Sequence, residues 1–428
     1  MFRTRLAAAL VAAAPTFALA QAPVPAPMLT PMPPSAVPAP VVAVPDPNAK
    51  AAPCSTCPAE EEPKKEEERF FLEKMLGSHC GGQQLLDKGW RIYGWTQTSF
   101  TTGSIRNSTL PVPFIDRAEQ FSLNQNWLHL EKSVDTSKKE FQIGGAADLI
   151  LPGTDARFSI SRGLLDNQLG RTDYPIDLFQ AYLDFFAPNV GPQGTTFRVG
   201  KFATFLEYET VQGITSPFLS RSYLFQYNPF THTGALAITP LNDDVTVQNG
   251  LVMGNDNFFS NYRPTYIGQI KWAPKDGKTS IALGTTITNP RFDQDQNFNY
   301  YNVYNLQFTH KICDKLQYVL DTSFSHMDNV PVNGVTTSAN WYGFVNYLFY
   351  DVTDKLQAKT RLEFFEDSKG VRTGTPGLYT ALTLGATWKP VPWFWVMPEV
   401  RYDHNSRGQP FEGNQDMFTA TIGGIVRW

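Results

Sequence analysis

The chain has 428 residues, of which 42% are hydrophobic, 13% aromatic and 18% charged, and its formal net charge is −4. This mild acidity gives no support to nucleic-acid binding, so no nucleic-acid partner is expected. The composition alone does not separate a soluble protein from a membrane barrel, because only alternate residues of a barrel strand face lipid.

The first residues predict export from the cytoplasm. Arg3 and Arg5 precede an apolar run from Leu6 to Ala14, and Ala18-Leu19-Ala20 forms a small-residue cleavage site before Gln21. Residues 1–20 are therefore predicted to be a signal peptide, whose removal changes the formal charge from −4 to −6. Elsewhere the sequence offers no stretch close to the roughly 20 apolar residues that a spanning helix needs.

Two segments separate the signal from the main domain. Residues 21–58 are rich in Pro, Ala and Val, which predicts a disordered periplasmic tether without a core. Residues 59–89 form a charged segment, in which Lys64 to Leu76 predicts a short helix that Gly77 ends. This helix is too short for a trimerising coiled coil. Its predicted apolar face, which would pack on the periplasmic rim, consists of Phe71, Leu72, Met75 and Leu76.

Four cysteines in an exported chain suggest disulfides. Cys54 and Cys57 form a CxxC pair, for which a local bridge is the favoured interpretation. A bridge from Cys80 to Cys313 would attach the tether to the barrel rim, since both are expected on the periplasmic side. A zinc site made by His79 with the three N-terminal cysteines is a less favoured alternative, and no metal ion is predicted.

From Trp90 to Trp428 the sequence repeats short segments of alternating apolar and polar residues, and the last of these ends the chain on a tryptophan. This pattern predicts an all-β transmembrane antiparallel barrel of about sixteen strands over residues 90–428. Fourteen or eighteen strands stay open, because Ala156 to Ser161 could form another strand. The predicted strands lie near residues 90–102, 120–131, 139–150, 176–186, 195–205, 233–240, 245–253, 265–273, 279–288, 302–312, 315–326, 339–350, 355–365, 379–388, 394–403 and 416–428.

The connections between these strands alternate in length. Those after even-numbered strands are short, such as Cys313-Asp314, whereas those after odd-numbered strands are longer, such as Leu206–His232 and Met327–Ser338. Short turns on one side and long loops on the other are typical of bacterial outer-membrane barrels with both termini in the periplasm. A barrel of sixteen strands is wide enough to leave an aqueous channel.

The residues predicted to face the lumen carry eight positive and six negative charges, which indicates weak ion selectivity. The best candidates for pore-lining residues are Arg198 and five residues on nearby strands that could form a ladder of opposite charges, namely Lys359, Arg361, Glu363, Glu399 and Arg401. The alternative is that these charged side chains are simply solvated parts of the wall, without a role in selectivity. The other predicted inward charges are Arg91, Lys271, Lys311, Arg427, Asp148, Asp184, Asp321 and Asp403.

The longest odd-numbered connection, Leu206–His232, contains Glu207, Glu209 and Arg221 together with several aromatic residues. So much aromatic surface should pack either on the lumen wall or on a neighbouring subunit. By analogy with general porins, whose loop after the fifth strand folds inward, it is the candidate constriction loop.

The segments Val199–Phe202, Glu207–Glu209, Ser220–Phe225 and Pro229–Gly234 resemble those of the OmpL-like putative outer-membrane β-barrel porin family. The resemblance covers roughly Trp90 to Trp428 and implies an outer-membrane porin without a defined solute.

These patterns together predict a porin that lets small hydrophilic solutes and ions diffuse passively and with weak selectivity. The expected partners are outer-membrane lipid and those solutes. A homotrimer is a possible assembly, which the sequence does not decide. A closed barrel for structure or surface attachment and a soluble exported β-rich glycan-binding protein are the alternatives. No nucleophile elbow, HExxH motif or Gly-rich phosphate loop occurs in the sequence, so neither an enzyme nor a cofactor is predicted.

Overall fold

The computed structural model describes residues 69–259, 264–288 and 301–428. The predicted signal peptide, the tether and the charged residues before Arg69 lie outside this range. The main domain is a closed barrel of sixteen antiparallel strands, in which β1 pairs with both β2 and β16. The strands are β1 (Trp90–Gly103), β2 (Gln120–Lys132), β3 (Gln142–Leu151), β4 (Asp177–Ala187), β5 (Thr195–Ala203), β6 (Thr231–Pro240), β7 (Val245–Val252), β8 (Thr265–Trp272), β9 (Thr279–Ile287), β10 (Asn302–Cys313), β11 (Leu316–Val332), β12 (Val335–Thr353), β13 (Leu356–Asp367), β14 (Gly377–Val391), β15 (Phe394–Asn405) and β16 (Asp416–Arg427).

The predicted strand number is confirmed, and two predicted connections are corrected. Ala156–Ser159 forms a short helix rather than a seventeenth strand. The predicted long loop Met327–Ser338 is wrong, because β11 and β12 continue through it and meet at a tight turn. Asn333 and Gly334 form that turn with φ values of +50° and +80°, which suit the two-residue turns that join twisted antiparallel strands.

The outer face of the barrel is apolar along its strands. Leu362 on β13 and Leu382 and Leu384 on β14 are exposed. Arg361, next to Leu362, and Thr383, between the two leucines of β14, are buried on the inner face. A soluble monomer rarely exposes apolar surface of this extent, whereas a barrel in lipid requires it. This arrangement contradicts the alternative of a soluble glycan-binding protein.

The C-terminal residue closes the barrel against the first strand. The backbone N–H of Trp428 donates to the carbonyl oxygen of Gly94 at 2.9 Å, and the N–H of Gly94 donates back at 2.8 Å. A Cβ on Gly94 would lie only 2.3 Å from the ring of Trp428, so glycine leaves the space that this ring occupies. The terminal aromatic residue therefore packs across the seam between β1 and β16.

Two helices, α1 (Phe71–Gly77) and α2 (Cys80–Asp87), precede the barrel at the end that carries the short turns, here named the turn end. The described part of the predicted helix begins at Phe71, and Gly77 is its last residue rather than the residue beyond it. Contact with the barrel is made by the buried carboxylate of Glu73, which accepts a hydrogen bond from Arg91 at 2.6 Å. Phe71 and Met75 are exposed, whereas Leu72 and Leu76 are half-buried, so only part of the predicted apolar face packs. Among the described residues, no helix has the length and apolar character needed to cross a membrane.

Candidate pore and its inward-folded loops

Three long connections at the opposite end, here named the loop end, enter the lumen: L1 (residues 104–119, after β1), L2 (152–176, after β3) and L3 (204–230, after β5). L3 crosses the lumen from wall to wall. The carbonyl oxygen of Phe205 accepts hydrogen bonds from Gln269 on β8 at 2.7 Å and from Gln307 on β10 at 3.0 Å. On the opposite wall, Gln125 of β2 donates to the carbonyl oxygen of Val211 at 2.5 Å. Of the two packing surfaces predicted for this loop, the structure shows the lumen wall.

The second half of L3 is bound to the wall formed by β13 and β15. The carboxylate of Glu399 accepts from the backbone N–H groups of Leu219 and Ser220 at 2.8 and 3.0 Å. Glu363 accepts from the N–H of Tyr223 at 2.8 Å, and Lys359 donates to a carbonyl oxygen of the same loop. These side chains therefore hold the backbone of L3 rather than facing open water.

An ion network lies beneath this contact. Arg361 donates to Glu209 of L3 and to Glu363, at 2.7 Å in both cases. Arg401 donates to Glu363 at 2.6 Å and to Asp403 at 2.7 Å. All five side chains are at most 1% exposed, so each charge depends on its partners rather than on water. The structure thus brings together the ladder residues expected from the strand register and adds a carboxylate from L3.

Arg221 organises L3 internally. Its guanidinium donates to the carbonyl oxygens of Thr210, Val211 and Leu219 at 2.9, 3.0 and 2.8 Å. The same group lies 5.0 Å from the centre of the Phe114 ring of L1. Because its donors are directed at the loop's own backbone, Arg221 fixes the loop's shape.

L1 and L2 contribute aromatic residues to the same packing. The ring of Phe114 lies 5.3 Å from that of Phe158 in L2 and 6.1 and 6.2 Å from those of Phe225 and Phe230 in L3, measured between ring centres. The entry of these two loops into the lumen was not predicted from the sequence. Apolar residues in otherwise polar connections, from Leu110 to Ile115 and again around Phe158, were the available signal.

One acidic residue of L2 also lies inside. Asp155 is 1% exposed and accepts a hydrogen bond from Gln125 at 2.8 Å. Burial raises the pKa of its carboxyl group to about 7, although the nearby charge of Arg221 lowers it. L2 is thus anchored to the same β2 residue that holds the tip of L3.

The loops cover the barrel wall around its whole circumference. Each strand contributes at least one residue that is at most 2% exposed at the middle or loop end of its inner face. The side chains packed on this wall therefore narrow the predicted water-filled lumen at this section. These residues are Gln97, Trp127, Ile150, Gln180, Phe202, Leu236, Val252, Ile267, Thr286, Val303, Ser325, Tyr347, Arg361, Thr383, Arg401 and Thr419, in strand order.

The turn-end half of the lumen is more open. Arg198 on β5 forms a two-point ion pair with Asp184 on β4 at 2.9 Å, and its guanidinium lies 3.7 Å from the centre of the Tyr182 ring. The side chain of Arg198 is 18% exposed, and that of Glu131 on β2 is 25% exposed. Lys311 on β10 is exposed. We name this turn-end half of the lumen the vestibule. Arg198 is the predicted pore-lining residue that lies there.

The structure describes the side chain of only one of the four cysteines, so it tests the disulfide predictions only in part. Cys313 is the last residue of β10, where it is exposed beside the turn to β11, and no described cysteine bridges its thiol. Cys54, Cys57 and the side chain of Cys80 lie outside the described residues, so the pairings that involve them stay predictions.

Two tyrosines test how strongly buried contacts in the lumen stabilise the barrel. The hydroxyl of Tyr223 in L3 donates to buried Asp403 at 2.8 Å, whereas that of Tyr402 donates to exposed Asp416 at 2.6 Å. We expect Tyr223→Phe to lower the free energy of unfolding by about 1.5–3 kcal/mol, because a hydrogen bond to a buried charge is lost. Tyr402→Phe is the matched control and should change it by at most about 0.5 kcal/mol. Urea unfolding in phospholipid vesicles measures both, and equal losses would contradict the role of Tyr223.

Known proteins share this architecture. The outer membrane channel DcaP of Acinetobacter baumannii is 8% identical, with a TM-score of 0.57 over 79% of this chain and 97% of that one. The anion-selective porin from Comamonas acidovorans is 8% identical, with a TM-score of 0.52 over 79% of this chain and 99% of its own. For OprB of Pseudomonas putida the identity is 12% and the TM-score 0.52, over 82% and 97% of the two chains. At these identities the likenesses show a shared fold.

No curated protein matches the sequence. The family model "putative beta-barrel porin-2, OmpL-like" matches residues 90–427, which span the whole barrel from the start of β1 to the end of β16. The chain therefore belongs to this family of outer-membrane β-barrel porins.

Proposed function

We propose that this porin lets small hydrophilic solutes and ions diffuse passively across the outer membrane, with both termini in the periplasm. Short turns at one end and long loops at the other support this orientation. The observation that carries the proposal is the path of L3, which enters a sixteen-strand barrel and is fixed there by buried charges. A loop held in this way sets the size of solute that can pass.

The charges around L3 support weak ion selectivity. Four positive groups around L3 are matched by four carboxylates, namely Arg221, Lys359, Arg361 and Arg401 against Glu209, Glu363, Glu399 and Asp403. Because these charges largely neutralise one another, they leave little net field to favour cations or anions. At the vestibule, Arg198 and Asp184 compensate each other in the same manner.

Movement of L3 would widen the passage, because the loop packs against the inner wall. The first segment of the loop is the best candidate for this movement. Phe205 is 7% exposed and Tyr208 is partly buried, whereas Arg221 and Tyr223 in the second half are fully buried. The first segment also lies beside Gln307, which is only partly buried.

The covered wall favours a second candidate, a closed barrel with a structural or surface-attachment role. Such a barrel would need no movement of L3 and would keep its buried network permanently intact. The two candidates make opposite predictions for permeation and the same predictions for fold and location. We keep the homotrimer as a further proposal, which the mass of the native complex in mild detergent would test.

Vesicle swelling tests the proposed permeation directly. The folded, full-length mature chain is placed in phospholipid vesicles, which are then diluted into isotonic solutions of sugars of increasing size. We expect rapid swelling with the smallest sugars and a steep decrease for larger ones, because L3 limits the opening. Equal rates to protein-free vesicles with every sugar, from a barrel shown to be folded by heat-dependent gel migration, would support the closed structural barrel instead.

A further inference from the structure

Two carboxyl groups face each other where L3 begins to cross the lumen. Glu207 of L3 is 4% exposed and Asp321 of β11 is 2% exposed, and the negative charge of Asp321 acts on Glu207. One oxygen of Asp321 accepts from Asn305 at 2.8 Å, and the other accepts from the backbone N–H of Tyr208 at 2.7 Å. The pair therefore joins the first segment of L3 to the wall.

The hydrogen-bond pattern indicates that this pair holds a proton. The Oε1 atom of Glu207 accepts from Asn228, but among the described residues no N–H or hydroxyl group donates to its buried Oε2 atom. A carboxyl beside a second carboxyl, with no other donor, is satisfied when the two share one proton. Burial raises the pKa of Glu207 well above its ordinary value, and the charge of Asp321 raises it further.

The other charged and titratable groups nearby do not compensate a second negative charge. Glu209, two residues further along L3, adds repulsion, and Arg361 is bound to it and to Glu363. The hydroxyl groups of Tyr301, which precedes β10, and Tyr347 of β12 also lie near these carboxylates. The guanidinium of Arg372 lies 5.0 Å from the ring centres of Tyr301 and Trp341, where it contacts aromatic rings.

We propose that Glu207 and Asp321 form a proton-operated latch, which holds residues 205–208 of L3 against β8, β10 and β11 while the pair is protonated. Loss of the shared proton leaves two carboxylates side by side in a buried site. Their electrostatic repulsion releases this segment of L3. Release breaks the hydrogen bonds of Phe205 to Gln269 and Gln307 and opens a gap along that wall. The second half of L3 stays bound to β13 and β15. The latch rests on the proposed porin function, since it regulates the same opening.

The direction of the pH effect follows from the number of bound protons. The latched state holds a proton that a hydrated glutamate would lose above a pKa of about 4.3. Latching is therefore fully favoured below that pH and is lost as the pH rises through the raised pKa of buried Glu207. For one linked proton, the ratio of released to latched molecules increases by up to about tenfold per pH unit.

Single-channel recording of the full mature chain between about pH 4.5 and 8 tests the latch. We expect the open fraction of the wild type to rise with pH. In Glu207→Gln, the amide donates permanently to Asp321 and cannot ionise, so the open fraction should stay low at every pH. Glu412→Gln is the matched control, because this exposed carboxylate binds the N–H groups of residues 106–108 at the loop end, and it should retain the wild-type profile. A wild type without pH dependence, or a Glu207→Gln profile equal to that of the wild type, would overturn the proposal.

Hydrogen exchange separates the latch from permeation, because it requires no current. After correction for the intrinsic pH dependence of exchange, the amides of residues 205–208, including that of Tyr208, should lose protection as the pH rises. Glu207→Gln should keep them protected. If protection is lost with rising pH in a barrel that never conducts, the latch is supported and the porin function is contradicted. Protection of residues 205–208 that does not change with pH would contradict the latch itself.

Discussion

Arg361→Met is expected to lower the free energy of unfolding of the barrel by about 3–5 kcal/mol, because it leaves buried carboxylates without their partner. Arg361 binds Glu209 and Glu363 and also donates to the carbonyl oxygen of Ser220 at 2.9 Å. Methionine fills much of the same volume but supplies no positive charge and no donors. Urea unfolding in phospholipid vesicles measures the loss.

Arg171→Met provides the matched control, because Arg171 is exposed in L2 and its replacement should change the free energy of unfolding by less than about 0.5 kcal/mol. Limited proteolysis gives a second measurement, in which L3 should be cleaved faster in Arg361→Met than in the control. Equal stability and equal cleavage of the two variants would mean that the ion network does not hold L3 in place.

Removal of L3 is expected to produce the largest change in permeation. Thr204 and Phe230 are joined by a backbone hydrogen bond of 2.8 Å, so residues 205–229 can be replaced by an Asn-Gly turn without separating β5 from β6. A sixteen-strand barrel without this loop should leave an aqueous channel. We expect a several-fold increase in single-channel conductance and entry of sugars that the intact protein excludes.

The projecting hairpin of β11 and β12 supplies a control deletion at the same end of the barrel. Val330 pairs with Thr337, so residues 331–336 can be replaced by Asn-Gly while the remaining pairs are kept. This shortened protein should conduct like the wild type. If removal of L3 changed conductance no more than removal of the hairpin tip, L3 would not be the constriction.

The barrel could be predicted from the sequence because every strand obeys the same two constraints. Lipid requires apolar residues at alternate positions, as at Leu362, Leu382 and Leu384, and strand pairing fixes the register. The extension of β11 and β12 was missed because residues 331–335 are largely exposed around the turn, outside the part of the strands whose alternation lipid requires. Its signal was the Asn333-Gly334 turn, which is local and independent of the membrane.

The lumen could be predicted only where it depends on the strands. Register alone placed Arg361, Glu363 and Arg401 on neighbouring parts of the inner face. Glu209 could not be assigned to Arg361, because the backbone of L3 has no period that sets where its side chains point. For the same reason, the sequence could not show that Arg221 binds backbone carbonyl groups of its own loop.

Single-channel current through the wild-type protein in a planar bilayer tests the proposed function most directly. Uniform steps whose frequency rises with pH, with a reversal potential near zero in a salt gradient, are the predicted result. Silence between about pH 4.5 and 8, from protein whose heat-dependent gel migration shows a folded barrel, would contradict the porin function and leave a closed structural barrel as the explanation.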